Sequence, residues 1–317
     1  MTTHLDPQTL AHLQTWQGRS ETLEDLITPA PLRALSATLD REDPLPVAGT
    51  ALPALWHWLF FLPHHRQSEI GPDGHAKRGG FLPPVPLPRR MWAGGRLQWH
   101  APLRVGDVVK RVSTIQSVTH KSGRTGDLLF VLVKHEVHNA QGLCLTEEHD
   151  IVYRPAAQPG DPVPAPVAAA SLLAQGEMQA QGKPLGELWQ RDIAPDDVLL
   201  FRYSALTFNG HRIHYDRTYV TEVEGYPGLI VHGPLIATLL VDLVRRHTDR
   251  PIQRFEFKAL RPTFECGDQR ILRVNGQPQA DGKHVRLWAQ DHEGWLTMQA
   301  TAEIGRASCR ERVSSPV

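Results

Sequence analysis

The sequence predicts an α+β fold in which one scheme is built twice, an apolar helix followed each time by antiparallel strands. Three observations predict it. A Pro/Ala-rich stretch divides the 317 residues into halves of similar size. In each half a helical hydrophobic period gives way to a period of two. The strand runs are punctuated by turn segments such as SGRTG and NAQG.

In the first half, Leu5 to Trp16 and Ser20 to Leu39 carry helical periodicity. After Thr50 the run ALPALWHWLFF is apolar nearly all round and predicts a buried helix. A long Pro/Gly/His loop follows from Leu62 to Pro88. From Gly95 to Arg154 the runs VKRVSTIQSVTHK, DLLFVLVKHEVHN and LCLTEEHDIVYR predict strands. The connector Pro155 to Ala170, PAAQPGDPVPAPVAAA, has almost no large apolar residue and predicts an extended linker.

In the second half, Phe201 to Asn209 leads into the irregular stretch GHRIHYDRTYVTEVEGYPG. A helix, PLIATLLVDLVRRH, is predicted from Pro234, with Pro suited to a first helical position and Arg245, Arg246 and His247 suited to the negative C-terminal end. IQRFEFKALRPTF, DQRILRVNGQPQ, KHVRLWAQDH and GWLTMQATAEI read as strands. A sheet wrapped around one helix leaves an exposed edge, and two such units cover their edges by pairing. This is the hotdog arrangement, here a double hotdog: an N-terminal unit over 1–154, a linker over 155–170 and a catalytic C-terminal unit over 171–302. The run Glu303 to Val313, EIGRASCRERV, resembles the translation of a widely used sequencing adapter, so 303–317 is expected to be foreign to the fold.

The formal net charge is zero, with 41% hydrophobic and 21% charged residues, which argues against nucleic-acid binding or a polybasic membrane contact. Three cysteines, Cys144, Cys266 and Cys309, are too few and too far apart for a disulfide framework or a zinc ribbon. With no apolar leader region and no run of about 20 apolar residues, a cytoplasmic protein is expected.

Reactive side chains concentrate at Asn209, His211, His214, Tyr215 and Asp216, in a segment without regular period just ahead of the best helix. The stretch YSALTFNGHRIHYD, then 14 residues, then VHGPLIATLL, resembles the signature of the MaoC-type hydratases. In that signature an Asp and a His stand five residues apart, ahead of a His-Gly pair that opens the central helix. Asn209 and His214 keep the spacing and His232-Gly233 the pair, with Asn in place of Asp. GPDGH (71–75), PRRMWAGG (88–95), KSGRTGDLLFV (121–131) and DIVYRP (150–155) resemble the first half of a two-hotdog subgroup. That subgroup contains 3-methylfumaryl-CoA (mesaconyl-CoA) hydratases and type 2 hydroxyacyl-thioester dehydratases.

The resemblance implies reversible addition of water to a 2,3-enoyl thioester, with coenzyme A in the substrate and no separate cofactor. His214 is then the acid–base residue, Asn209 positions water, and the N–H groups of Gly233 and Leu235 hold the developing charge on the thioester oxygen. His211 is expected as a pocket wall behind His214, with His232 beside it. Tyr203 and Ser204 line the acyl pocket or are strand packing. Arg89, Arg90 and Trp92 either meet the coenzyme's phosphates and adenine or brace the two halves. Arg202, Lys258 and Arg261 are candidates for phosphates or a substrate carboxylate, with Arg261 foremost. His211, His214 and His232 are expected to hold no metal, His57 to be a core histidine, and His64, His65 and His75 to be solvated in their loop. The partners expected are a small acyl-CoA and a second copy of the chain; a thioesterase or a non-catalytic acyl-CoA binding module is the alternative of another class.

Overall fold

The computed structural model describes residues 5–123, 126–156, 165–172, 185–265 and 271–305. Its strands are β1 (Ser20–Leu26), β2 (Arg89–Trp99), β3 (Val108–Gly123), β4 (Gly126–Asn139), β5 (Gly142–Arg154), β6 (Trp189–Ile193), β7 (Ile252–Ala259), β8 (Leu272–Pro278), β9 (His284–Gln290) and β10 (Leu296–Ile304). They form one antiparallel sheet in the order β1-β3-β4-β5-β2-β7-β10-β9-β8-β6. The halves meet edge to edge where Gly94 to Gln98 of β2 faces Lys258 to Arg254 of β7. The join is close: a Cβ on Gly94 would stand 2.5 Å from the Phe257 carbonyl oxygen, which fits glycine there.

Four helices accompany the sheet among the described residues: α1 (Pro7–Gln14), α2 (Pro29–Thr38), α3 (Asp197–Leu206) and α4 (Gly233–His247). Helix α4 is the central one, buried from Leu235 to Val244 and lying on β6, β8, β9 and β10. The expected start at Pro234 and the basic last turn both hold.

The first half departs from the expected scheme. Its apolar run after Thr50 forms only a four-residue 3-10 turn, Trp56–Leu59. Leu55 and Phe61 adopt left-handed backbone angles on either side of it, which a continuous helix cannot accommodate. The rings bury in different directions, Trp58 against Trp92 and Trp56 under the Arg245 guanidinium. A run that is apolar all round therefore marked burial correctly and conformation wrongly. Residues 20–26, read as helical, are strand β1, which pairs with β3. Conversely, Tyr203 and Ser204 lie on α3 rather than on a strand.

One hydrophobic core runs from Leu97, Val109 and Val137 of the first half through Trp56 and Phe60 to α4 and its strands. Inside it, Asp242 of α4, 1% exposed, takes hydrogen bonds from Arg41, Arg191 and Arg246. Residues 157–164 of the expected linker lie outside the described residues, as do Cys266, Cys309 and 306–317. The expected foreign segment begins within β10, where Glu303 faces Arg254 and His284, and Ile304 faces Ile252.

Candidate active site

Helix α3 ends in a hydrogen-bonding pattern that sets up the site. Phe208 N–H donates to Ala205 O and Asn209 N–H to Ser204 O, while Phe208 takes the left-handed conformation usually left to glycine. The chain then reverses at Asn209, whose Oδ1 accepts from His211 N–H at 3.0 Å. A 3-10 turn, Arg212–His214, follows and drives His214 inward.

His214 is 7% exposed. Its Nδ1 lies 2.7 Å from the Ile230 carbonyl oxygen. A carbonyl only accepts, so Nδ1 carries the proton and Nε2 presents a lone pair. Burial lowers the His214 pKa to about 4, against the opposing pull of the Ile230 carbonyl. The ring is therefore neutral at physiological pH, the form a general base requires.

Three histidines surround it. The His232 ring stacks on His214 at 3.7 Å, is 1% exposed, and pairs its Nε2 with Ser204 Oγ at 2.8 Å. Tyr203 closes the far side edge-on at 5.1 Å, and burial pushes its hydroxyl pKa up. The His211 ring stands 5.5 Å from His214 and 3.9 Å from the ring of His75. Burial lowers the His211 pKa to about 2, with His75 and His214 adding to it. His75 is thus half-buried and partnered instead of solvated in its loop; its Nδ1 donates to Asp73 Oδ2 at 3.1 Å.

His232 caps α4, whose first turn is where the charge-stabilising N–H groups are expected. The N–H of Ile236 donates to His232 O, so the N–H groups of Gly233 and Leu235 precede the first intrahelical bond. Nothing lies within 4 Å of where a Gly233 Cβ would be. Backbone donors at a helix start, open space at the Gly233 Cα and a neutral imidazole stacked on the capping His232 suit a carbonyl oxygen that gains negative charge.

Most of the other predicted residues lie apart from this cluster or in bracing roles. Arg89 crosses to the second half, donating to Glu224 O at 3.2 Å and covering the Tyr226 ring at 5.0 Å. Trp92 lies against His149 at 4.0 Å and donates its indole N–H to Gly94 O. Arg90, exposed on β2, lies close enough to His75 and His211 to disfavour their charged forms. Arg261 borders a cavity of about 200 Å³ with Pro227, Pro262, Phe264 and Asp291. Arg202 lines a separate cavity of about 330 Å³ with Arg191 and Asp196. His57 is a core histidine as read, its Nε2 2.9 Å from Glu147 Oε2. Among the described residues, the three that bring one ligand atom each within 4.8 Å of one another, as a metal ion needs, are Asp73, His75 and His211, a different set from the His211, His214 and His232 weighed from sequence.

This geometry can be compared with known proteins. Residues 55–265 match the model of the family described as hydroxyacyl-thioester dehydratase type 2. The chain belongs to that family. Among its relatives, mesaconyl-C(4)-CoA hydratase of Chloroflexus aurantiacus is 45% identical over 295 residues, covering 93% of this chain and 99% of that protein. The type 2 hydroxyacyl-thioester dehydratase of Schizosaccharomyces pombe is 26% identical, covering 76% of this chain and 86% of that one. A solved MaoC-like dehydratase superposes with a TM-score of 0.69 at 13% identity, over 93% of this chain and all of that one. A Mycobacterium tuberculosis protein described as having a double hotdog fold superposes at 0.53 and 15% identity, over 91% of this chain and 96% of that one. The fold is the double hotdog, with the first unit's central helix replaced by a short turn.

Sequence reasoning marks Asp73 and His75 only as groups that could reach the substrate-tail groove, not as neighbours of His211 and His214. The available signal was a pair of glycines: a Cβ on Gly74 would fall 1.8 Å from Gly210 O. GPDGH and NGH are two loops whose backbones touch, one from each half.

Proposed function

We propose that the protein adds water reversibly across the 2,3-double bond of a short enoyl-CoA. The reaction assigned is 3-methylfumaryl-CoA (mesaconyl-CoA) to citramalyl-CoA, with coenzyme A carried by the substrate and no further cofactor. The observation that carries this reading is His214, a buried neutral imidazole with its proton fixed on Nδ1, beside the open first turn of α4. Similarity at 45% to a mesaconyl-C(4)-CoA hydratase supports the substrate class.

In this reading His214 Nε2 takes a proton from water as the oxygen attacks carbon 3. The N–H groups of Gly233 and Leu235 hold the enolate-like thioester oxygen, an arrangement worth about 3 kcal/mol of barrier per donor. Asn209, whose Oδ1 is engaged by His211 N–H, fixes the turn that aims His214 and offers its amide N–H to water. Arg261 is the cation assigned to a substrate carboxylate or phosphate.

Dehydration of a (3R)-hydroxyacyl thioester is the second reading, favoured by the family match. The two differ in acyl pocket: a free carboxylate needs a cation, a long acyl chain an apolar tunnel. The test offers the purified chain 3-methylfumaryl-CoA, crotonyl-CoA and a longer enoyl-CoA, following the conjugated-enoyl absorbance and free thiol. Absorbance loss without thiol release, abolished in His214→Ala, is expected. Thiol release would make the protein a thioesterase, and no turnover of any substrate would overturn the hydratase reading.

A further inference from the structure

Hydration moves two protons, one off the attacking water and one onto carbon 2, yet Asn209 cannot take up a proton and His214 is a single base. His232 commits Nε2 to Ser204 and keeps Nδ1 buried. His75 differs from the other histidines of the cluster in having a carboxylate. Asp73 accepts twice from it, Oδ2 from the Nδ1 proton and Oδ1 from the backbone N–H, both at 3.1 Å. Such a carboxylate fixes the Nδ1 tautomer, stabilises the imidazolium and leaves Nε2 to exchange protons.

The loop is held onto the catalytic turn. Arg212 N–H donates to Asp73 O at 2.9 Å and the Arg212 guanidinium to Pro72 O at 3.0 Å. The Gly74–Gly210 approach leaves no room for a side chain. His75 is thereby placed against His211, which in turn stands edge-on to His214.

We infer that Asp73 and His75 are the second acid–base pair of the active site, supplied by the first half, with His75 exchanging the proton at carbon 2 while His214 exchanges the proton of water. The inference rests on the hydratase reading of the His214 site. In hydration, a water O–H bond breaks as oxygen bonds to carbon 3, and His214 Nε2 receives that proton. The π pair of the double bond moves toward the thioester, and His75 imidazolium gives its Nε2 proton to carbon 2. His214 ends protonated and His75 neutral; one proton then returns through His211 or bulk water. The charged and titratable groups facing His75 are Asp73, His211, Arg90 and Arg78; burial foremost, with the two arginines, lowers the His75 pKa against the pull of Asp73, so the imidazolium is a minority form that Asp73 sustains. Those facing His214 are His75, His211 and His232.

The test uses the full chain with His75→Gln and Asp73→Asn, reading enoyl-CoA hydration against pH, deuterium incorporation at carbon 2 in D2O, and thermal unfolding. His75→Gln is expected to lower kcat by about 100-fold or more at little change in KM, and to lose carbon-2 exchange in the hydroxyacyl product. Asp73→Asn keeps an oxygen acceptor for Nδ1 but not the charge, so the alkaline limb of the rate should move to lower pH. If the glutamine variant does not fold, that limb decides alone. A folded His75→Gln with wild-type kcat, or an Asp73→Asn profile matching wild type, overturns the inference while leaving His214→Ala inactive and the hydratase reading intact. Loss of wild-type turnover to a chelator, restored by zinc, overturns it in favour of metal ligation by Asp73, His75 and His211. Wild-type protein inert toward all three enoyl-CoAs removes the underlying reading as well.

Discussion

Acidification probes the His214 site through both rate and stability. An imidazole in water titrates near 6.5, and at pH 5 only about 3% of it is neutral. With the pKa lowered to about 4 by burial, about nine-tenths of His214 remains neutral at pH 5, so the base-limited rate differs about 30-fold between the two cases. Stability must move in step. The folded pKa lies below the unfolded one, so the unfolded chain binds more protons between about pH 4 and 6.5. Stability is full above that window and falls as pH falls through it, by about 2 kcal/mol at pH 5 for His214 alone. For a chain of 317 residues that is about 3 °C in Tm. His232, buried against His214 and also held neutral, pulls in the same direction. The assay measures enoyl-CoA hydration and thermal unfolding from pH 5 to 8, in wild type and in His214→Gln. Hydration should hold up on the acid side to pH 5, and the variant should lose about 3 °C less on acidification than wild type. An acid limb centred near 6.5, with equal Tm losses in both proteins, would refute a buried neutral base.

Substitutions at three further positions separate the parts of the site from the parts of the scaffold. Gly233→Ala adds a methyl where nothing lies within 4 Å, so Tm should hold while hydration falls about 10- to 100-fold; unimpaired turnover would move the oxyanion position away from α4. Asn209→Ala removes the acceptor for His211 N–H and should cost about 1 kcal/mol of stability and about ten-fold in kcat, whereas Asn209→Asp should keep the turn. Unchanged turnover in the alanine variant would take Asn209 out of the mechanism. Asp242→Asn leaves Arg41, Arg191 and Arg246 around a neutral buried group and should destabilise by about 3–5 kcal/mol in chemical denaturation, a loss under 1 kcal/mol contradicting a stapling role.

What sequence made legible was whatever depends on a period. Strands β3 to β5 and β7 to β10 announce themselves through alternation between turn segments, and α4 through its apolar stripe, its Pro at the start and its basic end. Residues 51–61 defeated the same reasoning because burial on all sides erases the period that tells helix from turn. The signals that decided the outcome there were Pro53 and the left-handed Leu55 and Phe61, and neither leucine nor phenylalanine advertises such a conformation. The five-residue spacing of Asn209 and His214 located the turn that buries His214, but not what faces it. His75 lies 139 positions from His214 in sequence, and a loop histidine offers no local sign that another loop will bury it.

The site's dependence on both halves explains why the contacts between them are so varied. A sheet joint alone, as at β2 and β7, fixes strand spacing yet lets loops at the sheet's end drift. Arg41 reaching Asp242 ties the region beyond α2 to the central helix, and Arg89 on Glu224 and Tyr226 ties the start of β2 to the segment ahead of α4. The contact of Gly74 with Gly210 then sets the last separation, backbone to backbone, with no rotamer to relax. Proton exchange tolerates misplacement of only a fraction of an ångström. A backbone-to-backbone stop is better suited to that tolerance than a long side chain, and glycine is the residue that permits it. The first half, whose apolar run forms only a short turn, reaches the second through this loop: its Asp73 and His75 meet the turn of His214 because the fold's remaining contacts hold the halves in one register.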